Sequence, residues 1–100
     1  MIFFQRTTYK NAKSILKNGF RDTSGHYMTD MAVTGVWVSD KVLSENEGAG
    51  RDSVLQIEVK NSKRALDFYE VKEKGKPYRE WCVLARLLNK GKIARIPART

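Results

Sequence analysis

Apolar positions along this chain fall mostly into short runs with a period of two, interrupted once by a stretch at helical spacing. Residues 2–7 are rich in β-branched and aromatic side chains and predict an opening strand. Thr7 or Thr8 then offers a hydroxyl that can cap a helix. Tyr9, Ala12, Ile15 and Leu16 follow at helical spacing, with Lys10, Lys13 and Lys17 turned outward. Gly19 stands where a helix end needs positive φ. Strand, cap, amphipathic helix and stop thus come in order.

The rest of the pattern is mostly β. Residues 21–34 are polar, contain Gly25 and several hydroxyls, and read as a loop. Residues 35–39 predict a short strand with Val36 and Val38 on one face and Trp37 and Ser39 on the other. Asp40 is placed to cap a short helix through Val42, Leu43 and Asn46, ended by Gly48-Ala49-Gly50. Residues 53–59 predict a strand with Leu55, Ile57 and Val59 on one face. Residues 66–71 fit a strand or a helical turn. A charged loop runs to Pro77, residues 80–85 predict a strand, 86–89 a turn and 92–96 a final strand. The pattern is α+β: about five or six strands and one main helix after the first of them, in a single domain over residues 1–100.

Composition narrows the chemistry. The single cysteine, Cys82, and the single histidine, His26, exclude an intramolecular disulfide, a cysteine-rich zinc site and a histidine cluster, so no metal site is expected. The opening apolar run of four residues is too short for a signal-peptide core, and no stretch approaches the roughly 20 apolar residues of a membrane span. The expectation is a cytoplasmic protein with no membrane contact. The net charge of +8 raises the prospect of a polyanionic or phosphate-bearing partner, although its positive residues are scattered along the chain.

Several familiar sites are missing. Gly75-Lys76 is followed by Pro77, and Glu70 stands where a phosphate-binding loop needs its upstream glycine. No Gly-x-Gly-x-x-Gly follows a strand. A serine–histidine–aspartate triad would have to use His26, in the expected loop. Three segments remain: Phe4-Gln5-Arg6-Thr7-Thr8, then Gly35-Val36-Trp37-Val38-Ser39-Asp40, then Tyr78-Arg79-Glu80-Trp81-Cys82-Val83 followed by Ala85-Arg86-Leu87-Leu88.

In the order and spacing of these segments the chain resembles the ADP-ribosyltransferases, in their poly-ADP-ribose-polymerase-like branch. That family carries a histidine on its first strand, a Gly-x-Tyr strand leading into a helix, and a glutamate opening a later strand of a split β core. Gln5 falls at the histidine position, Trp37 at the tyrosine position and Glu80 at the glutamate position. One of the three residues matches, one is an aromatic replacement and one departs.

The resemblance implies a split β core and NAD as cofactor. It implies Glu80 as the catalytic carboxylate, with Gln5, Arg6, Thr7, Gly35, Trp37 and Ser39 as the residues that hold NAD. The implied activity is transfer of ADP-ribose to a protein or nucleic-acid target, and the small size is similar to that of toxin-like members. The RNA 2′-phosphotransferases, a related branch, are less similar, because they rely on motif histidines. The alternative is a non-catalytic basic module that binds nucleic acid or an ADP-ribose-type ligand. Each residue also has a plain reading: Trp37 as core, Glu80 as a surface partner of Arg79, Gln5 as an ordinary strand residue, and Cys82 as a small buried hydrophobe.

Overall fold

A computed structural model of the chain describes residues 1–27, 31–43, 52–60, 66–72 and 75–97. The elements run β1 (Ile2–Thr7), α1 (Tyr9–Asn18), β2 (Thr23–Tyr27), β3 (Met31–Ser39), β4 (Ser53–Glu58), a 3-10 turn (Asp67–Tyr69), β5 (Glu70–Val71), β6 (Glu80–Val83), α2 (Ala85–Leu88) and β7 (Lys92–Ile96). The fold is α+β, with one main helix and a seven-stranded sheet in the order β5-β6-β3-β1-β4-β7, with β2 paired onto β3. All of these pairings are antiparallel. Among the described residues no helix is long and apolar enough to cross a membrane.

Helix α1 forms where its signals predict. The Thr8 hydroxyl accepts from the Asn11 amide at 3.2 Å, and the Asp52 carboxylate accepts from the Tyr9 amide at 2.9 Å, so two of the unpaired first-turn donors are satisfied. Gly19 closes the helix at φ 84°, donating to the Ile15 carbonyl. Ala12 is fully buried and Ile15 packs on the core, whereas Tyr9 and Leu16 stay about half exposed.

The core lies on the sheet face under α1. Strand alternation places Phe3, Leu55, Ile57, Val36, Val38, Trp81 and Val83 there, all buried, with Phe20, Leu66 and Leu88 packed over them. Phe3 and Trp81 meet edge to face with centroids 5.0 Å apart, an arrangement that contributes about 1 kcal/mol beyond burial.

Four expectations are corrected. The polar stretch expected as a loop holds β2 and the start of β3, whose residues exchange ladder hydrogen bonds from Thr23 opposite Gly35 to Tyr27 opposite Met31. The strand expected at 35–39 is therefore nine residues long. Residues 85–88, read as strand end and turn, form α2, because the Asp22 carboxylate accepts from the Ala85 amide at 2.7 Å and caps it. Among the described residues Asp40 starts no helix, since residues 41–43 are not helical: its carboxylate accepts from the Arg79 amide at 2.9 Å and its amide donates to the Arg79 carbonyl, which prolongs the pairing of β3 with β6. The remainder of the helix expected after Asp40 lies outside the described residues.

Strand β1 is paired unevenly. It runs beside β4 for all six of its residues, yet its register with β3 is the single pair Phe4–Ser39. Beyond Phe4 the two strands part, and the sheet is split at its centre.

Candidate functional site

The split opens into a cavity of about 710 Å³ between β1, β3, the flank of α1 and the first residue of β6. Gln5, Arg6, Thr7, Trp37, Ser39 and Glu80 all line it. Three sequence segments separated by some thirty to forty residues are thus brought to one cleft by the pairing of Phe4 with Ser39 and of Ser39 with Glu80.

Gln5 bridges the split. Its side-chain amide donates to the Trp37 carbonyl at 3.1 Å, in place of the ladder bond that β1 no longer supplies. An amide has two N–H donors and one carbonyl acceptor, so this bond leaves Gln5 with both kinds of group for the cleft. Trp37 is half-buried on the face opposite Val36 and Val38 and borders the cavity, as the alternation of β3 predicts.

Glu80 opens β6 and is held by an ion pair with Lys76. It is not a partner of Arg79. The Arg79 guanidinium instead makes two bonds to Glu70, at 2.9 and 2.6 Å, and lies 4.9 Å over the Trp81 ring. The hydrogen bonds that Arg79 donates to Glu70 raise its pKa above the ordinary value; desolvation opposes the rise and the charges of Glu70, Asp67 and Asp40 add to it. Arg79 is thereby committed to β5, and Glu80, paired with Lys76, borders the cleft.

Arg6 is buried at 7% exposure although it is charged. Its Nη1 donates to the Leu43 carbonyl at 3.0 Å, and its Nε has no hydrogen-bond partner. Among the described residues no carboxylate pairs with it. A buried guanidinium normally has an acid or several acceptors; this one has a single carbonyl and borders the cleft.

Two of the expected contacts have structural roles. Gly35 does not border the cavity; it lies against β6 at φ 153°, where a Cβ would come within 2.9 Å of the Val83 carbonyl oxygen and 3.0 Å of the Cys82 Sγ. The glycine is required by the close approach of β3 to β6. The Ser39 hydroxyl donates to the Lys41 carbonyl at 2.8 Å and is 3% exposed, so it shapes the turn after β3. Thr7 is buried and borders the cleft. Cys82 is buried, and burial, with a smaller part from Asp22, pushes its thiol pKa up.

The sequence reading missed the α1 wall. Asn11, Ser14 and Ile15 border the cavity, at helical positions one turn apart. The signal was two small uncharged polar residues interrupting an otherwise lysine-rich exposed surface. The Leu43 carbonyl that holds Arg6 is a backbone group and has no sequence signature. Among the described residues no cluster of three or more His, Cys, Asp or Glu could hold a metal. No family model, no curated protein and no solved structure matches the chain.

Proposed function

We propose that the cleft is an ADP-ribosyltransferase-like NAD site and that the chain transfers ADP-ribose to a macromolecular acceptor. The observation that supports the reading is that Gln5, Trp37 and Glu80 all line one cleft at the gap between β1 and β3. The residues fit a dinucleotide with two phosphates on one further observation: the buried Arg6 borders the same cleft and pairs with no carboxylate among the described residues.

NAD supplies the cleavable bond between nicotinamide and ribose, and positive charge builds on the sugar as that bond breaks, as in glycoside hydrolysis. Glu80 sets a carboxylate at the cleft, where it stabilises that charge and accepts from a ribose hydroxyl. Trp37 gives an aromatic face for the nicotinamide ring. Gln5, already fixed by the Trp37 carbonyl, holds a ribose hydroxyl with its remaining donor and acceptor. Arg6 neutralises phosphate charge with a guanidinium that no carboxylate among the described residues occupies. Lys76 holds the Glu80 carboxylate in place through their ion pair.

The test is release of nicotinamide from NAD by the purified chain and by Glu80→Gln. Turnover should fall about 100-fold or more in the variant, with the circular dichroism spectrum unchanged. Equal turnover in the two proteins, or none in the parent, overturns the reading.

A further inference from the structure

Charge is segregated along this chain in a way its total conceals. Residues 1–21 carry five basic and no acidic side chains, and residues 81–100 again carry five and none. The 59 residues between them carry nine basic and eleven acidic side chains. The two terminal segments therefore hold ten positive charges, and the middle of the chain is slightly negative.

The fold joins the two acid-free segments. Helix α1 packs beside β7. At its start the Arg95 guanidinium lies 4.9 Å from the centre of the Tyr9 ring. At its end the Asn89 side chain makes two bonds to the backbone of Phe20, accepting from its amide at 2.7 Å and donating to its carbonyl at 3.0 Å. Both ends of α1 are tied to the α2–β7 segment, 69 residues away at the second tie.

At about 100° per residue, Lys10, Lys13 and Lys17 form one outward ridge on α1. The cleft-lining Asn11, Ser14 and Ile15 lie on one flank of that ridge, and Tyr9 with Arg95 lies on the other. Arg86 on α2 and Arg95 on β7, which shares the sheet face of Leu55 under α1, continue the positive surface, and all five basic residues are exposed. Among the described residues none of the five is in an ion pair. The nearby acids are engaged or on the other side: Asp52 caps α1, Asp22 caps α2, and Glu58 stands opposite Lys92 on the other face of the sheet.

We propose that this face, α1 with the α2–β7 segment, binds the backbone of a nucleic acid. A contiguous row of unpaired cations matches a polyphosphate strand, whose binding draws its energy from counterion release. The half-exposed Tyr9 ring, with a guanidinium on it, adds a stacking surface. A membrane surface fits less well, because an interfacial helix needs a free apolar face and α1 spends Ala12 and Ile15 on the core. The proposal does not depend on NAD occupying the cleft.

The test is fluorescence anisotropy with labelled single-stranded and duplex oligonucleotides, using the full chain at 50 and 200 mM salt. Saturable binding should weaken about tenfold or more across that range, as expected when several phosphates are neutralised. Lys13→Glu with Lys17→Glu should weaken it about tenfold or more at low salt, and the milder Lys13→Gln with Lys17→Gln should reduce the salt slope by about two. The control, Lys41→Glu with Lys72→Glu, makes the same change in net charge at the β3–β6–β5 side of the sheet, away from this face, and should leave affinity within about threefold. No saturable binding at 50 mM salt overturns the proposal. So does an equal loss in the control pair, or binding to phosphatidylserine vesicles in place of the oligonucleotides. A parallel NAD titration of the Lys13 and Lys17 variant should be unchanged, so the two readings fail separately.

Discussion

The side-chain amide of Gln5 donates to the backbone carbonyl of Trp37, 32 residues away, across the gap where β1 and β3 part. A split sheet leaves main-chain groups without ladder partners, and an unpaired group that is screened from water costs about 1–3 kcal/mol. Gln5 supplies the missing donor and holds the width of the cleft. Gln5→Ala should therefore lower the unfolding free energy by about 1–2 kcal/mol, read from urea midpoints. Gln5→His, whose ring N–H can reach the same carbonyl, should recover most of that loss. Equal destabilisation in both variants would show that the bond does not matter.

Gly35 and Gly75 separate close packing from backbone strain. A Cβ at Gly35 meets the Val83 carbonyl oxygen and the Cys82 Sγ, whereas one at Gly75, at φ 86°, meets nothing within 4 Å. Gly35→Ala should cost about 3 kcal/mol, from strain and overpacking together. Gly75→Ala should cost about 1 kcal/mol, from strain alone. Thermal or chemical unfolding measures both; similar costs would mean that β3 and β6 are not so close.

Asn89 serves as the clasp between α1 and the C-terminal segment. Asn89→Ala removes both bonds to the buried Phe20 and should destabilise the chain by about 1–2 kcal/mol. Hydrogen exchange at the Phe20 amide should speed up more than at the Phe3 amide, in β1. Uniform acceleration would place the loss elsewhere.

Cys82 offers a chemical probe. Its raised pKa means the folded state favours the neutral thiol. That contribution to stability is present below the ordinary thiol value of 9.0 and is lost as pH rises through the folded value. Alkylation at neutral pH should be slow in the native chain and fast in denaturant. Rapid native labelling would contradict its burial.

Much of this fold is legible in the sequence because its signals are local. Thr8 and Gly19 bound α1 by their own backbone chemistry, and β4 and β7 show β-rich runs between turn residues. What was not legible depends on distant partners. β2 has the sequence Thr-Ser-Gly-His-Tyr, with no apolar alternation, and exists because its backbone pairs with β3. α2 is four residues long and is capped by Asp22, 63 residues earlier. The positions of Gln5, Trp37 and Glu80 on strands were readable, but that Ser39 meets both Phe4 and Glu80, and so closes one cleft around them, required the sheet order. The burial of Arg6 was hidden for the same reason: strand alternation says which face a residue takes and nothing of what covers that face.

The central claim is that the cleft binds NAD, and a titration of NAD followed by calorimetry and tryptophan fluorescence tests it most directly. Saturable binding is predicted in the parent chain, about tenfold or more weaker in Trp37→Ala, with the buried Trp81 reporting an intact fold in that variant. No binding at millimolar NAD, or binding unchanged by Trp37→Ala, would contradict it.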